Sequence, residues 1–292
     1  SLLLGLYSAF TAYIVAFSKF GSIILAPIFG DHHLVYAIIF WAIGSFLIMR
    51  GSKVVAKAEL GMTMLLILMT LLVFIFSLNY INPENYKGFN LDNLFFPYGV
   101  VLFALGGLTA VPTMRKILGN DANLMRSALI VGGLIIPILV YAIFTFSVVG
   151  VSGLHTSEEA ISGLVKIMGP KIVLTGALFG LLSISTSFVA LGYALRQFFN
   201  RDHKVPLRWA GLLAISVPMI LFLSGLNSFI KIIAFAGGII AGIEGILIIM
   251  SFYQAKKTGD RQPEYKFPLP KFAAYFICLI YVLGIIYHLT YY

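Results

Sequence analysis

Nine long apolar runs constrain this chain more than any other feature of its sequence. They cover residues 3–27, 34–49, 60–80, 94–114, 127–150, 172–195, 209–225, 228–252 and 272–290. A helix needs about 20 mostly apolar residues to cross a bilayer. Membrane strands fit poorly, because the runs are too long and their apolar residues do not alternate with polar ones. The sequence therefore predicts an all-α membrane protein, with residues 1–292 forming one transmembrane domain of nine spans.

Composition excludes the common soluble classes. Apolar residues make up 60% of the chain and charged residues 11%, whereas an ordinary soluble domain carries roughly 25% charged residues. Nine apolar helices would leave almost no polar face for water. We therefore interpret the net charge of +9 as a property of membrane loops, and expect a lipid bilayer and no nucleic acid as partner. With Cys278 as the single cysteine, an intrachain disulfide is impossible.

The basic residues are unevenly divided between the two sides of the predicted bundle. Fifteen lysines and arginines fall on the side of the N-terminus, and three on the opposite side. The larger set is Arg50, Lys53, Lys57, Arg115, Lys116, Arg126, Arg196, Arg201, Lys204, Arg208, Lys256, Lys257, Arg261, Lys266 and Lys271. Because cytoplasmic loops are enriched in lysine and arginine, we expect a multi-pass protein of the plasma (inner) membrane with a cytoplasmic N-terminus.

The fourth span carries a signal for a broken helix. Gly106 and Gly107 lie near its middle, and Pro112 follows. Glycine lowers the cost of leaving helical geometry, and proline removes a backbone donor. A break near 105–109 would present backbone N–H and C=O groups that could bind a zwitterion at membrane depth. The alternative is a plain proline kink or a glycine contact between packed helices.

Hydroxyl side chains mark the sixth and first spans. The sixth contains Ser183-Ile184-Ser185-Thr186-Ser187, and the first contains Tyr7, Ser8, Thr11 and Tyr13. Such hydroxyls could coordinate Na⁺ or bind a substrate, or they could bond their own helix and allow close packing. The spacing Ser8-x-x-Thr11-x-Tyr13 weakly matches Ser183-x-x-Thr186-x-Phe188, as expected between corresponding helices of inverted repeats.

Glu244 is the carboxylic acid inside a predicted span, with glycines around it at 237, 238, 242 and 245. Ionisable groups within a membrane are costly and indicate function by default. We consider a role in proton coupling or gating, and alternatively pairing with a basic residue near the cytoplasm. The five histidines have no metal-site spacing, and no nucleophile–base pair or phosphate-binding loop is evident. We therefore expect neither an enzyme nor a cofactor.

Residues 96–115, Phe-Pro-Tyr-Gly-Val-Val-Leu-Phe-Ala-Leu-Gly-Gly-Leu-Thr-Ala-Val-Pro-Thr-Met-Arg, resemble the sixth helix of the amino acid/auxin permease family. The stretch Leu-Gly-Asn-Asp at 118–121 resembles the loop that follows it. Thr186-Ser187-Phe188 with Leu191-Gly192 is similar to the family's eighth helix, as in bacterial tyrosine/tryptophan permeases. The family belongs to the amino acid-polyamine-organocation superfamily, and the resemblance spans the whole chain.

The resemblance implies a five-plus-five inverted-repeat helix bundle of the leucine-transporter type, here without its first two helices. The second repeat would cover 94–254, and the first would be incomplete. In the family, substrate contacts the unwound parts of the first and sixth helices, with help from the third, eighth and tenth. By position, the implied substrate-binding residues are Phe103, Ala104, Gly106, Gly107, Thr109, Tyr7, Thr11, Ser183 and Thr186. Glu244, Ser187 and Thr186 are the candidates for ion or proton coupling.

The implied function is secondary active transport of a small amino acid, coupled to H⁺ or else Na⁺, by alternating access. One alternative is an amino acid receptor on the same fold that signals without net transport. Such a receptor would be similar to spore-germinant receptor subunits. Another is a remnant that no longer transports, because two helices are missing. The many aromatic residues do not identify the substrate, since membrane helices use phenylalanine widely.

Overall fold

A computed structural model describes residues 2–50, 52–88, 91–108, 110–119, 121–157, 160–259 and 268–291. Within these ranges every regular element is a helix, which confirms the all-α class. The elements are α1 (Leu2–Phe29), α2 (His33–Arg50), α3 (Ser52–Ser77), α4 (Tyr98–Ala104), α5 (Ala110–Leu118), α6 (Ala122–Ser127), α7 (Ile136–Ser152), α8 (Ile161–Met168), α9 (Pro170–Arg201), α10 (Leu207–Leu223), α11 (Phe229–Phe235), α12 (Gly242–Thr258) and α13 (Lys271–Tyr291).

Two π-helical segments interrupt otherwise continuous helices. Ala128–Ile135 joins α6 to α7, and Ala236–Ala241 joins α11 to α12. Each contains a glycine pair, Gly132-Gly133 in the first and Gly237-Gly238 in the second. Short π-helical turns inside α-helices are rare and often lie at functional sites.

Seven helices of the described chain are long and apolar enough to cross a membrane. They run over Leu2–Phe29, His33–Arg50, Leu60–Tyr80, Ala122–His155, Thr175–Arg201, Phe229–Thr258 and Lys271–Tyr291, and Leu207–Leu223 is a shorter apolar helix. The fourth predicted span, 94–114, is divided between α4 and α5. The chain is therefore a multi-pass membrane protein, and the division into nine spans and two repeats stays a prediction.

The chain divides into two compact units. The α12 unit comprises Ser1–Gly5, Asn90–Ile138 and Ile230–Tyr292, and the α9 unit comprises Leu6–Phe89 and Leu139–Phe229. In the α12 unit, the π-helical segment 236–241 packs against α4 and α13. In the α9 unit, the long helix α9 packs against α2, α3, α8 and α10.

Aromatic stacking on α9 forms the centre of the α9 unit. Phe188 is fully buried, stacks on Phe10 with ring centroids 4.1 Å apart, and lies 4.6 Å from Phe40. Gly44 of α2 faces the same ring, where an added Cβ would lie closest to Cε1 of Phe188. Small residues let helix backbones approach closely in membrane proteins. Phe188 thus fills the space that this glycine leaves between α2 and α9.

A buried cation on α9 contacts the ends of two other helices in the same unit. Arg196 of α9 is 5% exposed. Its Nη1 donates to the carbonyl oxygens of Ile48 at 2.8 Å and Met49 at 3.1 Å, and its Nε donates to that of Leu207 at 3.4 Å. The last carbonyls of a helix have no partner inside the helix and carry partial negative charge. Arg196 therefore caps α2 and also contacts the start of α10.

We expect Arg196→Gln to lower the stability of the folded protein, because several carbonyls lose a charged donor. Hydrogen bonds to charged groups contribute about 1.5–3 kcal/mol each, so the unfolding temperature should fall by roughly 5 °C or more. Fluorescence-detected thermal unfolding in detergent measures this change. Arg201→Gln removes an exposed cation from the same helix and should leave the unfolding temperature nearly unchanged. Equal effects of the two variants would contradict the capping role.

Candidate functional site

The expected helix break is present. Helix α4 ends at Ala104, α5 begins at Ala110, and the described residues between them, 105–108, are not helical. On the α4 side, the amide of Gly106 donates to Phe103 at 3.1 Å; on the α5 side, the amide of Ala110 donates to Gly107 at 3.1 Å. Thr109, which belongs to the predicted set, lies outside the described residues. Each half-helix therefore has its own short hydrogen-bonded turn at the break.

The backbone at the break is exposed. Leu105 and Leu108 are 42% and 43% exposed, and Gly106 and Gly107 are exposed as well. Among the described residues, none accepts a backbone hydrogen bond from the amide of Gly107 or Leu108. The first amides of α5 carry partial positive charge and the last carbonyls of α4 partial negative charge. Such a break can therefore hold a carboxylate at one end and an ammonium at the other.

The two glycines of the break occupy different surroundings. An added Cβ at Gly106 would lie 3.2 Å from the carbonyl oxygen of Phe103, which is a tight contact. An added Cβ at Gly107 would have no atom within 4 Å. Packing therefore restricts the side chain at 106 but not at 107. Gly107 is the position at the break where added atoms would fill open space.

Helix α4 is held against the π-helical segment 236–241 by direct backbone contact. An added Cβ at Gly99 would lie 2.6 Å from the carbonyl oxygen of Ala234 and 3.0 Å from the nitrogen of Gly238. An added Cβ at Gly237 would overlap the carbonyl oxygen of Gly99 and lie 2.8 Å from the nitrogen of Phe103. Neither position can hold a larger residue unless the backbones separate. The half-helix before the break therefore has a fixed support.

The predicted residues Phe103 and Ala104 form the last turn of α4, next to the break. Phe103 is half-buried and Ala104 is exposed. With Gly106 and Gly107, they make one continuous stretch of the α12 unit. The structure thus brings these four predicted residues together around the exposed backbone.

The predicted residues of α1 lie in the α9 unit and bond to backbone carbonyls. The hydroxyl of Tyr7 donates to the carbonyl oxygen of Leu213 at 3.0 Å. The hydroxyl of Thr11, a residue 1% exposed, donates to the carbonyl oxygen of Tyr7 at 2.8 Å. Both hydroxyl hydrogens are engaged, and each oxygen still has acceptor capacity.

Hydroxyl side chains of α9 also donate to backbone carbonyl oxygens. Thr186 donates to the carbonyl oxygen of Ser183 at 2.8 Å, and Ser185 donates to that of Leu181 at 2.6 Å. The side chain of Ser187 lies near the phenol of Tyr13 on α1. Bonds of a hydroxyl to its own helix are the packing interpretation of this run. Ser187 differs, because it lies near a side chain of another helix.

Glu244 lies at the start of α12 in the α12 unit. Its Oε1 is buried and has no hydrogen-bond partner among the described residues. An added Cβ at Gly5 would lie 3.6 Å from this oxygen, so the carboxyl group lies next to Gly5 in the first turn of α1. The described residues contain no group of three or more histidine, cysteine or acidic side chains arranged to hold a metal ion.

Two structural contacts escaped prediction from the sequence. The sequence predicts Arg196 to be a basic residue of a loop, whereas the structure places it in α9. The contact between Gly99 and Gly237 joins positions that are 138 residues apart in the chain. For Arg196 a signal exists, since it lies in the continuation of an apolar helix. For the glycine contact, the available signal is only that both positions fall in glycine-containing spans.

A family model for the tryptophan/tyrosine permease family matches residues 1–288. The chain belongs to this family. No curated protein matches the chain. Membership points to a membrane transporter of amino acids rather than an enzyme, and it agrees with the resemblance to tyrosine/tryptophan permeases. The inverted-repeat architecture and the wider superfamily placement are compatible with this membership, but the family match does not establish them.

We expect Gly237→Ala to destabilise this permease, because the new methyl group overlaps the backbone of Gly99. Overpacking a tight contact costs about 1–3 kcal/mol, which corresponds to a fall of several degrees in unfolding temperature. Gly132→Ala is the matched control, since it also places alanine in a π-helical segment but has no neighbouring atom within 4 Å. Thermal unfolding of both variants tests the contact, and an unaltered Gly237→Ala protein would refute it.

Proposed function

We propose that the protein transports an aromatic amino acid, tryptophan or tyrosine, across the plasma membrane as an H⁺ symporter. Membership of the tryptophan/tyrosine permease family is the observation that carries the substrate class. The exposed helix break at 105–108 supports the mode of recognition. The uneven distribution of lysine and arginine supports a cytoplasmic N-terminus.

Recognition begins at the backbone of the break. The carbonyl end of α4 binds the substrate ammonium, and the amide end of α5 binds the carboxylate. Phe103, Ala104 and Thr109 border this stretch and are the nearest side chains in the sequence. Every amino acid carries both charged groups, so this part of the site fixes orientation, and side-chain contacts must select the aromatic ring.

Further side-chain contacts are assigned to Tyr7, Thr11, Ser183 and Thr186. Tyr7, Thr11 and Thr186 already donate to backbone carbonyls, but their oxygens can accept a hydrogen bond from a substrate donor. Ser183 is half-buried on α9. These four residues are proposed as a group on the basis of family position, and the hydroxyl chemistry is compatible with it.

Glu244 is the proposed proton acceptor. An ionised carboxylate within a membrane needs a partner, and Oε1 of Glu244 has none among the described residues. A change of surroundings during alternating access would therefore change the proton affinity of this group. Ser187 and Thr186 are the candidates for the competing possibility, Na⁺ coupling. No specific observation favours a receptor without transport.

We expect a pH gradient alone to drive accumulation of radiolabelled tryptophan or tyrosine into proteoliposomes that contain the full-length protein. Glu244→Gln should abolish accumulation while it preserves exchange of labelled for unlabelled substrate, because exchange needs no net proton movement. Uptake is measured with and without Na⁺ across a panel of amino acids. Accumulation that requires Na⁺ would contradict proton coupling. Stabilisation by an amino acid without any flux would contradict transport altogether.

We also expect Gly107→Val to weaken substrate binding by about tenfold or more, which corresponds to roughly 1.4 kcal/mol. The added side chain occupies open space at the break and should leave the unfolding temperature of the empty protein nearly unchanged. Gly132→Val is the control, since position 132 is equally open but lies away from the break. Ligand-induced thermal stabilisation measures the affinity. Unchanged affinity in Gly107→Val would remove the break from the substrate site.

A further inference from the structure

An apolar cavity lies between α1, α2 and α9 in the α9 unit. Its volume is about 240 Å³, and α2 lines it from Tyr36 to Leu47. Phe17 and Leu25 of α1 and Val189 of α9 contribute to the remaining wall. At 1.5 Å per residue, the eleven steps from Tyr36 to Leu47 extend the cavity along α2 for about 16 Å. This is close to half of the roughly 30 Å hydrocarbon core of a bilayer.

The polar groups in the wall of this cavity already have partners. The hydroxyl of Tyr36 donates to the carbonyl oxygen of Gly30 at 2.6 Å. The hydroxyl of Ser185 donates to the carbonyl oxygen of Leu181 at 2.6 Å. Burying an ammonium or a carboxylate group without new partners is costly. The cavity therefore suits a hydrocarbon chain better than the charged groups of an amino acid.

One wall of the cavity is open to the surface of the protein. Ile39 and Ile43 line the cavity and are 50% and 59% exposed, whereas Phe40, which also lines it, is buried. The tails of lipids are as apolar as the side chains of such a wall. An acyl chain can therefore enter the cavity sideways from the bilayer.

The open wall leads along α2 to a cation. Four residues with spacings of four, three and four share one face of the helix: Ile39, Ile43, Phe46 and Arg50. Cζ of Arg50 lies 4.6 Å from the centroid of the Phe46 ring, and both side chains are exposed. An arginine at the end of a span can extend its charged group to the headgroup region. The face that begins in the cavity thus ends at a guanidinium group on the predicted cytoplasmic side.

A second exposed arginine lies beside the same end of α2. Arg196 donates both to the carbonyl oxygen of Met49 and to that of Leu207. Because these residues directly precede Arg50 and Arg208, one buried side chain holds the two segments together. Arg50 and Arg208 are both exposed. Guanidinium groups bind phosphate through paired hydrogen bonds, so this pair of arginines suits a phosphate group.

The charges around this pair favour an anionic headgroup. Residues 196–208 contain four lysines or arginines and one acidic residue, Asp202. A phosphatidylcholine headgroup would bring its own positive charge next to these cations, whereas a phosphatidylglycerol headgroup carries only the negative phosphate. Each lysine or arginine near a membrane surface favours binding to anionic lipid by about fivefold. The local charge therefore selects between two lipids that the apolar cavity alone would treat alike.

We propose that the α9 unit binds one anionic phospholipid of the cytoplasmic leaflet along α2. The phosphate pairs with Arg50 and Arg208, and one acyl chain passes Phe46 and follows α2 through the cavity. In the cavity the chain gains dispersion contacts with α1, α2 and α9 together. The bound lipid thus supports the packing of these three helices. The site involves neither the helix break nor the transported substrate.

Native mass spectrometry of the purified protein in a neutral detergent tests the headgroup. Dioleoyl phosphatidylglycerol should bind about fivefold or more tightly than phosphatidylcholine with the same chains. Arg50→Gln and Arg208→Gln should each weaken binding of phosphatidylglycerol by roughly fivefold. Lys257→Gln is the control, because it removes an exposed cation of α12 on the same predicted side, and it should leave binding unchanged. Equal affinity for the two lipids, or an equal loss in Arg50→Gln and Lys257→Gln, would overturn the proposal.

Arg50→Lys separates the loss of a cation from a loss of folding. This variant keeps the positive charge and gives up only the paired geometry of the guanidinium group. It should therefore retain more affinity for phosphatidylglycerol than Arg50→Gln, while both variants keep the unfolding temperature of the wild type in detergent without lipid. Equal lipid affinity of the two variants would contradict a role for the charge.

A second pair of variants tests the acyl chain. Ile43→Trp adds ring atoms at the open wall of the cavity and should weaken binding of both lipids several-fold. Ile220→Trp is the control, since Ile220 is 62% exposed on α10 and does not line the cavity. Glycerol 3-phosphate carries the phosphate without acyl chains and should not displace phosphatidylglycerol. Displacement, or unchanged binding to Ile43→Trp, would overturn the proposal. Neither measurement involves transport, so both stay informative whatever the outcome for the proposed function.

Discussion

The backbone contact between α4 and the π-helical segment 236–241 is the constraint on which the candidate site depends. A helix that stops within a membrane gives up backbone hydrogen bonds that lipid cannot replace, so each half needs support from protein. For α4, Gly99 and Gly237 provide it by allowing two backbones to touch. Because α4 is held in this way, residues 105–108 can remain outside helical geometry while α4 keeps its place in the α12 unit.

The α9 unit depends on a different kind of contact. Its centre is a long, unbroken helix whose large side chain Phe188 stacks on neighbouring rings, and whose Arg196 caps another helix. Both contacts join positions far apart in the chain. The hydroxyls of Thr186 and Ser185 bond within the helix and so add little polarity to its packing surface. The regular helix α9 thus keeps its polar groups bonded within the helix, whereas the broken helix leaves backbone groups exposed at residues 105–108.

Features that depend on neighbouring residues can be predicted from this sequence, and contacts between residues far apart in the chain cannot. Apolar length predicts the long helices, and the pair Gly106-Gly107 followed by Pro112 predicts the break, because each signal lies in the residues that form the element. The partners of Arg196 are backbone carbonyls brought close by packing, and carbonyls leave no mark in a sequence. The proposed aromatic substrate class comes from family membership and could not be obtained from composition.

The contrast between Glu244 and Arg196 explains why one of these two ionisable groups is proposed for coupling and the other is not. Arg196 donates to three carbonyl oxygens, so its charged donors have partners in this structure. Oε1 of Glu244 has no partner among the described residues, although a charged carboxylate in a membrane requires one. In the proposed mechanism, its ionisation is tied to a rearrangement around it. A group that can change charge only when its surroundings change is what coupling between proton movement and conformation requires.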